Sequence, residues 1–317
     1  MPRPKQAAER RDLQAVIYEA ADPANSFIGL RVMPIFKVDD ATGQYPVIPA
    51  EVMFSIPDTR RAPRSPYPRS DWEWEWDTYA TVENGWEEPV DDKEVKLYRR
   101  YFNAEKMAGI RAVKIILRDQ EKRIAGAVFN ESNFAPHAVT DEWDDHENAA
   151  PIDDVKAGRK EMHDTIGVEP NTLIISYSTF LDLGLCGQIV DRIKHTNPAV
   201  QRGDIQAPLL AQAFGVDQIL VGGSLYNGAK KGQDAELSAI WSNEHAMLCR
   251  TSDSEMLGDL PCLGRTFLWT TDSPTNTVVE SYRDETVRGD VIRVRHETDE
   301  EFISPECGYL LSNITTN

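Results

Sequence analysis

The sequence has little cysteine: four residues, Cys186, Cys249, Cys262 and Cys307, in 317. None of them makes a CxxC pair, and no Cys/His spacing matches a zinc site. The expectation is four reduced thiols, mostly buried. There is also no run of about 18 apolar residues, so no helical membrane span is expected. The basic start MPRPKQAAERRDLQ has no apolar stretch behind it and does not read as a secretory signal; the chain is expected to stay in the cytoplasm. Positive charge is scarce. Against 52 Asp and Glu stand 34 Lys and Arg, a net −18. Such a chain repels nucleic acid overall and excludes a general DNA- or RNA-binding role.

Catalytic signatures are missing as well. No GxSxG elbow occurs, and no dinucleotide fingerprint. The nearest thing to a nucleotide motif is VDQILVGGSLYNGAKKG, residues 216–232. Gly223 and Gly228 have phosphate-loop separation. The lysines, Lys230 and Lys231, come one place late, no Ser or Thr follows, and NGAKKGQDAE is turn-like where a helix should begin. The stretch therefore reads as a strand running into a Gly-rich surface loop. The acidic run DEWDDHE, residues 141–147, has His137 and His163 near it in sequence. A metal-dependent enzyme could be built there. It has neither EF-hand nor HExxH spacing, so it reads as a solvated acidic loop anchored by Trp143, with no metal and no cofactor expected.

What is present is an α+β pattern. Residues 1–40 look like an arm rather than core, with a short helix near Leu13–Ala21 and an extended SFIGLRVMPIF. Residues 41–92 form two strands around a Pro/Arg-rich tip. In the second strand Trp72, Trp74 and Trp76 alternate with Asp71, Glu73, Glu75 and Asp77. That period of two puts aromatics on one face and carboxylates on the other. A lone hairpin is marginal in water, so the tryptophans need cover, from this chain's own core or from a partner subunit. The tip carries Arg60, Arg61, Arg64 and Arg69, which are either solvated or matched to an acidic patch on a neighbour.

Residues 92–132 contain no proline and show 3/4 apolar spacing through Leu97, Tyr101, Ala104, Ala108, Ile110, Val113, Leu117, Ile124 and Val128. One helix of up to ~40 residues, about 60 Å, is expected. It starts at Asp91 and Asp92; Gly109 and Gly126 either bend it or mark close packing. IDDVKAGRKEMHDTIG predicts a second helix ended by Gly167. PNTLIIS reads as a buried strand, STFLDLGL as a short helix, and GDIQAPLLAQAFGVDQILVGG as helix, Gly215 cap and strand. ELSAIWSNEHAMLCRT, GRTFLWT, NTVVESY, DVIRVRHET and GYLLSNI read as strands.

This order of parts resembles the major capsid proteins of tailed bacteriophages, whose fold is shared with encapsulins and the herpesvirus shell floor. Local phrases carry the likeness. IDDVKAGRKEMHDTIGVEPNTLIIS is similar to the family's passage from helix to strand, at Gly167, Pro170, Asn171 and Thr172. FGVDQILVGGSLYNGAKKG is similar to another, at Gly215, Val216, Val221, Gly222, Tyr226 and Asn227. SAIWSNEHAMLC resembles the strand that follows.

The resemblance implies an N-terminal arm at 1–40 and an E-loop hairpin at 41–92. It implies a peripheral domain with a spine helix at 92–167, an axial domain at 168–262, and returning peripheral strands at 263–317. It implies no catalytic site and a structural role: self-assembly, as hexamers and pentamers, into an icosahedral shell around double-stranded DNA. The chain would belong to the virion after assembly in the bacterial host cytoplasm. Its partners would be itself, a portal, a decoration protein and packaged DNA held without sequence-specific binding, with no membrane. The acidic balance suits a wall that lets DNA move.

The interface residues implied are Arg60, Arg61, Arg64, Arg69, Trp72, Trp74 and Trp76 of the E-loop and Gly222, Gly223, Tyr226 and Asn227 of an axial turn. Arg3, Lys5, Arg10 and Arg11 belong to the arm, with only Glu9 opposing them. Fewer than about forty residues precede the hairpin, too few for a fused scaffolding domain, so a separate scaffolding protein is expected. No lysine lies between Lys37 and Lys93, so no covalent cross-link through the E-loop is expected. An encapsulin-like nanocompartment is the alternative on the same fold.

Overall fold

A computed structural model describes residues 7–21, 27–47, 55–56, 58–69, 75–196, 203, 205–230, 232–254, 256–257 and 261–316. Two sheets and one long helix position everything else. The first sheet is organised by β14 (Gly289–Phe302), in which Val294, His296 and Thr298 turn inward while Arg293 and Arg295 turn outward. That period of two lets one strand serve core and surface at once. Along one edge, β14 pairs antiparallel first with β13 (Val278–Asp284) and then with β12 (Gly264–Trp269). Along the other edge it pairs with β5 (Val82–Asp91). β2 (Ile35–Val38) adds in parallel beside β12, and β1 (Ala8–Glu9) caps β13. The outward arginines are committed within the sheet: Arg293 to Glu87, and Arg295 to Glu280 and Asp272.

The second sheet has the order β6 (Pro136–Ala138), β15 (Gly308–Ser312), β11 (His245–Cys249), β7 (Thr172–Ser176), β8 (Gln218–Gly222). β7 is buried at every position. The following parallel strand β8 is reached by a crossover through α6 (Tyr177–Leu183), α7 (Gly187–Thr196) and α8 (Ala207–Phe214). Helix α5 (Pro151–Ile166) covers this sheet through Val155 and Met162, in one cluster with Leu173, Ile175 and Leu248. Gly167, at φ 64°, ends α5 in the left-handed conformation expected from its sequence.

The long helix joins the two sheets. The stretch 92–132 is not one helix, however. α3 (Asp92–Tyr98) starts on an Asp91 cap, a turn follows, and α4 (Ala104–Val128) starts on Asn103, whose side chain accepts the Lys106 amide. α4 is 25 residues long, about 37 Å. The break has a visible cause. Asn103 competes for amides that a continuous helix would use internally, and Tyr98 folds back to stack on Phe102 with centroids 5.2 Å apart. Leu97 and Tyr101, expected on an apolar face, are 64% and 82% exposed.

The first half of α4 packs Ala112, Val113, Ile116 and Leu117 against β13, β14 and α1 (Arg11–Ala21). A Cβ at Gly109 would run into Ile17, so this glycine marks a close helix–helix approach, whereas nothing lies near Gly126. The second half packs Ile124, Ala125 and Val128 against the second sheet and α2 (Gly29–Val32).

Two further expectations need amending. Within 1–40, Ile17, Ala21, Val32 and Met33 are fully buried and β2 is a sheet strand, so this stretch supplies core as well as arm. The expected strand ELSAIWSNEHAMLCRT divides into β10 (Leu237–Ala239), paired with β9 (Leu225–Asn227), and β11. The chain turns between them to bury the Trp241 ring completely.

Candidate assembly surfaces

The hairpin leaves the body as β3 (Thr42–Val47) and β4 (Glu75–Ala80), antiparallel in a register that sets Pro46 opposite Trp76 and Tyr45 opposite Asp77. The expected second strand, 71–86, divides at Thr81, where its amide bonds Ala41 O and the chain turns into β5. Tyr45 and Tyr79 point at the body. They meet Phe267 at centroid distances of 5.1 and 4.6 Å, in a cluster with Cys262 and Ile303.

The acidic face of the hairpin therefore lies over an acidic stretch of β14. Tyr45 Oη donates to Asp77 Oδ2 at 3.3 Å and to Phe302 O at 3.1 Å. The Ala80 amide donates to Asp299 at 2.7 Å. Burial, with Asp299, Asp77 and Glu300 as neighbours, pushes the Glu301 carboxyl up to about 7.

The opposite face carries Trp76, 62% exposed. Of the two alternatives for tryptophan cover, this chain's own core does not cover Trp76. Trp72 and Trp74 lie outside the described residues. At the tip, Arg60, Arg61, Arg64 and Arg69 are exposed, and among the described residues none meets a carboxylate within ion-pair distance. Arg61 donates to Ser65 O and lies over the Tyr67 ring, 4.7 Å from its centroid. Arg64, at φ 69°, closes the turn.

The turn that the resemblance assigns to an axial domain follows β8. A Cβ at Gly222 would strike the Trp241 ring, so the residue's smallness is a packing requirement; Gly223 is open. Asn227 Oδ1 accepts from the amides of Ala229 and Glu236, both at 3.0 Å, and so closes the base of the loop between β9 and β10. Lys122 of α4 sits 4.1 Å from the centroid of the Tyr226 ring. No helix begins after these glycines among the described residues, as the turn-like sequence predicts. Asn171 also has a local task, clasping Thr251 through its amide and carbonyl at 2.9 and 2.8 Å.

Of the arm cations, Arg3 and Lys5 lie outside the described residues. Arg10 and Arg11 are bound to Asp12 and Glu9 respectively, so Asp12 opposes them along with Glu9. In the acidic loop, Trp143 is fully buried and donates to Asp154 at 2.9 Å. Asp145 caps the turn through Asn148, and Glu142 and Asp144 accept from Thr316. Among the described residues no group of three or more His, Cys, Asp or Glu is placed to hold a metal.

One residue that the sequence reading passed over is Glu121. It is 2% exposed. It accepts from the amides of Ile28 and Gly29 at 3.0 and 2.6 Å, from Trp241 Nε1 at 2.6 Å, and from the Ser224 hydroxyl. Burial pushes this carboxyl above its usual range, against the pull of those four donors. A signal was available: Glu121 follows Leu117 and precedes Ala125 at helical spacing, so the pattern sets a charge in a core row.

No family model matches the chain. It is 26% identical over 206 residues to the major capsid protein of Burkholderia phage BcepMu, a match covering 63% of this chain and 64% of that protein, just under two thirds of its length. Among solved structures it is similar to a phage-related protein from Bordetella bronchiseptica RB50, with TM-score 0.71, 18% identity, and coverage of 98% of this chain and 99% of the other. It is also similar to the capsid of Cyanophage P-SCSP1u, with TM-score 0.57, 8% identity, and coverage of 89% and 86%. The chain shares the α+β fold of these two structures over 98% and 89% of its length.

Proposed function

We propose that this chain is the major shell subunit of a tailed phage: a structural protein without catalysis that self-assembles into a closed icosahedral capsid around double-stranded DNA. The observation that carries this is the fold match over 98% of the chain, joined to a relative whose name is major capsid protein. The surfaces support it. A hairpin projects from the body with a 62% exposed tryptophan on its outer face and a tip of arginines that nothing in the described chain neutralises. An aromatic of that size contributes most when buried at an interface. Repetition over many identical, symmetry-related contacts multiplies modest energies into a stable shell.

In this reading the subunits form hexamers and pentamers. The E-loop residues Trp72, Trp74, Trp76, Arg60, Arg61, Arg64 and Arg69 reach over a neighbour, and the turn at Gly222, Gly223, Tyr226 and Asn227 serves the capsomer centre. A separate scaffolding protein, a portal and a decoration protein complete the particle. It assembles in the host cytoplasm, holds DNA without reading its sequence, and carries no E-loop cross-link.

Electron microscopy of the expressed protein tests the reading. Closed shells tens of nanometres across are expected, from the chain alone or together with its scaffolding protein; a chain that stays monomeric in both settings over a wide range of salt and concentration would overturn it. Replacing Trp72, Trp74 and Trp76 with Ser is expected to abolish assembly and leave a folded, soluble subunit. Normal particles from that variant would refute the hairpin's role.

A further inference from the structure

Between α4 and the turn after β8 lies an open cleft of about 490 Å³. Lys114 and Arg118 form one wall, and Phe27, Tyr177, Phe180 and Leu225 much of the rest. Lys114, Arg118 and Lys122 are spaced by four residues, so they rise along one face of α4 in steps of about 6 Å. The helix treats its other arginines differently. Arg111 pairs with Glu88, and Arg123 pairs with Asp119 and Glu300. Among the described residues no carboxylate comes within 4 Å of Lys114, Arg118 or Lys122; Lys122 has only the Tyr226 ring. In a chain with 52 carboxylates and 34 cations, three adjacent cations with no carboxylate at ion-pair distance among the described residues are unusual.

The apolar side of the cleft is also uncovered. Tyr177 is 55% exposed, Leu225 50%, and Leu181, one helical turn beyond Tyr177, 49%. Exposed aromatic and aliphatic groups side by side, with Arg118 beside them, fit a protein interface better than a solvated surface.

We propose that this cleft receives a carboxylate-bearing segment of a second copy of the chain, its acids on Lys114, Arg118 and Lys122 and an apolar side chain against Tyr177 and Leu225. The inference rests on the shell reading and names one of its contacts. Charge selects the occupant: each copy carries 18 more carboxylates than cations, so neighbouring copies are the nearest and most abundant source of acids. Nucleic acid fits less well. Three cations are few beside the roughly 6–10 phosphate contacts of a typical binder, the net charge opposes its approach, and the apolar wall offers a phosphodiester nothing.

Particles assembled from an equal mixture of unlabelled and nitrogen-15-labelled chains, treated with a zero-length carbodiimide, give the direct test. Mixed-isotope peptides joining Lys114 or Lys122 to an Asp or Glu are expected. Particles that form without such peptides would sink this inference and leave the shell reading standing; a wild-type chain that forms no particle removes both. As a second arm, Lys114→Gln, Arg118→Gln and Lys122→Gln together are expected to raise the concentration needed for assembly about tenfold, equivalent to about 1.4 kcal/mol, with an unchanged circular dichroism spectrum. An unchanged assembly concentration overturns the proposal. So does a fluorescein-labelled duplex DNA that the soluble wild-type subunit binds at physiological salt and the triple variant does not, since the cleft would then be a nucleic-acid site.

Discussion

The ring of Tyr79 lies flat on that of Phe267, with centroids 4.6 Å apart and planes 3° from parallel. This stack, with Tyr45 leaning on the same ring, fastens the projecting hairpin to the body. Phe267→Ala is therefore expected to do two things at once. It should cost about 3–5 kcal/mol, the range for removing a fully buried phenylalanine, read by urea unfolding. It should also expose the 42–80 segment to protease at concentrations that leave the wild type intact. A variant with ordinary protease resistance would show that the hairpin is held elsewhere.

Stability should respond to pH at the hairpin's root. The folded Glu301 carboxyl titrates near 7, above its ordinary 4.5. Its contribution is therefore fully present below about pH 4.5 and is lost as pH rises through about 7. Glu301→Gln keeps that side chain neutral throughout. It should stabilise the fold at about pH 8.5 by on the order of 1 kcal/mol after solvent screening, read as a raised melting temperature, and leave the melting temperature unchanged at about pH 4.5. Equal shifts at both values would refute the cluster with Asp299, Asp77 and Glu300 as the cause.

The two glycines of the turn after β8 should separate cleanly. Gly222→Ala drives a methyl into the buried Trp241 ring and is expected to destabilise by about 2–3 kcal/mol. Gly223→Ala meets nothing within 4 Å and should change stability by less than about 0.5 kcal/mol. Paired denaturant titrations followed by tryptophan fluorescence decide it; equal effects at the two positions would contradict the packing account.

The thiols should be silent. All four cysteines are free and buried. Burial pushes Cys307 up to about 12 and raises Cys249 and Cys262 as well, which holds those thiols protonated and unreactive. A disulfide reagent should find no reactive group in the native protein and four after denaturation. A thiol that reacts quickly in the native state would mean that its strand opens.

The fold was legible where periodicity was strong. β7, α5, α8 and the strands after residue 263 follow directly from apolar runs and from Gly167 and Gly215. Other parts were hidden for physical reasons. The break before Asn103 depends on one side chain capping one amide, and no proline or glycine announces it. α7 stands in a mixed stretch with few turn signals, and the sequence reading has no helix there. The cover of the N-terminal helix comes from α4, a hundred residues away, so a short amphipathic segment looked peripheral. At the candidate surfaces, alternation correctly separated Trp76 from Asp77. It said nothing of Phe267, whose role lies in contacts with Tyr45 and Tyr79, on strands near the start of the chain. The cations of α4 were invisible as a group because only the fold shows which of them go without acids.

Glu121 has a consequence for how the molecule comes into being. Three of its donors lie 93 and 92 residues before it, at Ile28 and Gly29, and 120 residues after it, at Trp241; the fourth, Ser224, also comes late. A carboxylate is costly to take out of water unless all its partners are in place. Helix α4 is synthesised long before residue 241 leaves the ribosome, so on the growing chain Glu121 lacks its indole partner. The amides of Ile28 and Gly29 are on hand early, and the indole of Trp241 completes the set late. One carboxylate thus ties an early segment, a central helix and a late loop into a single contact that is complete only when most of the chain has been made.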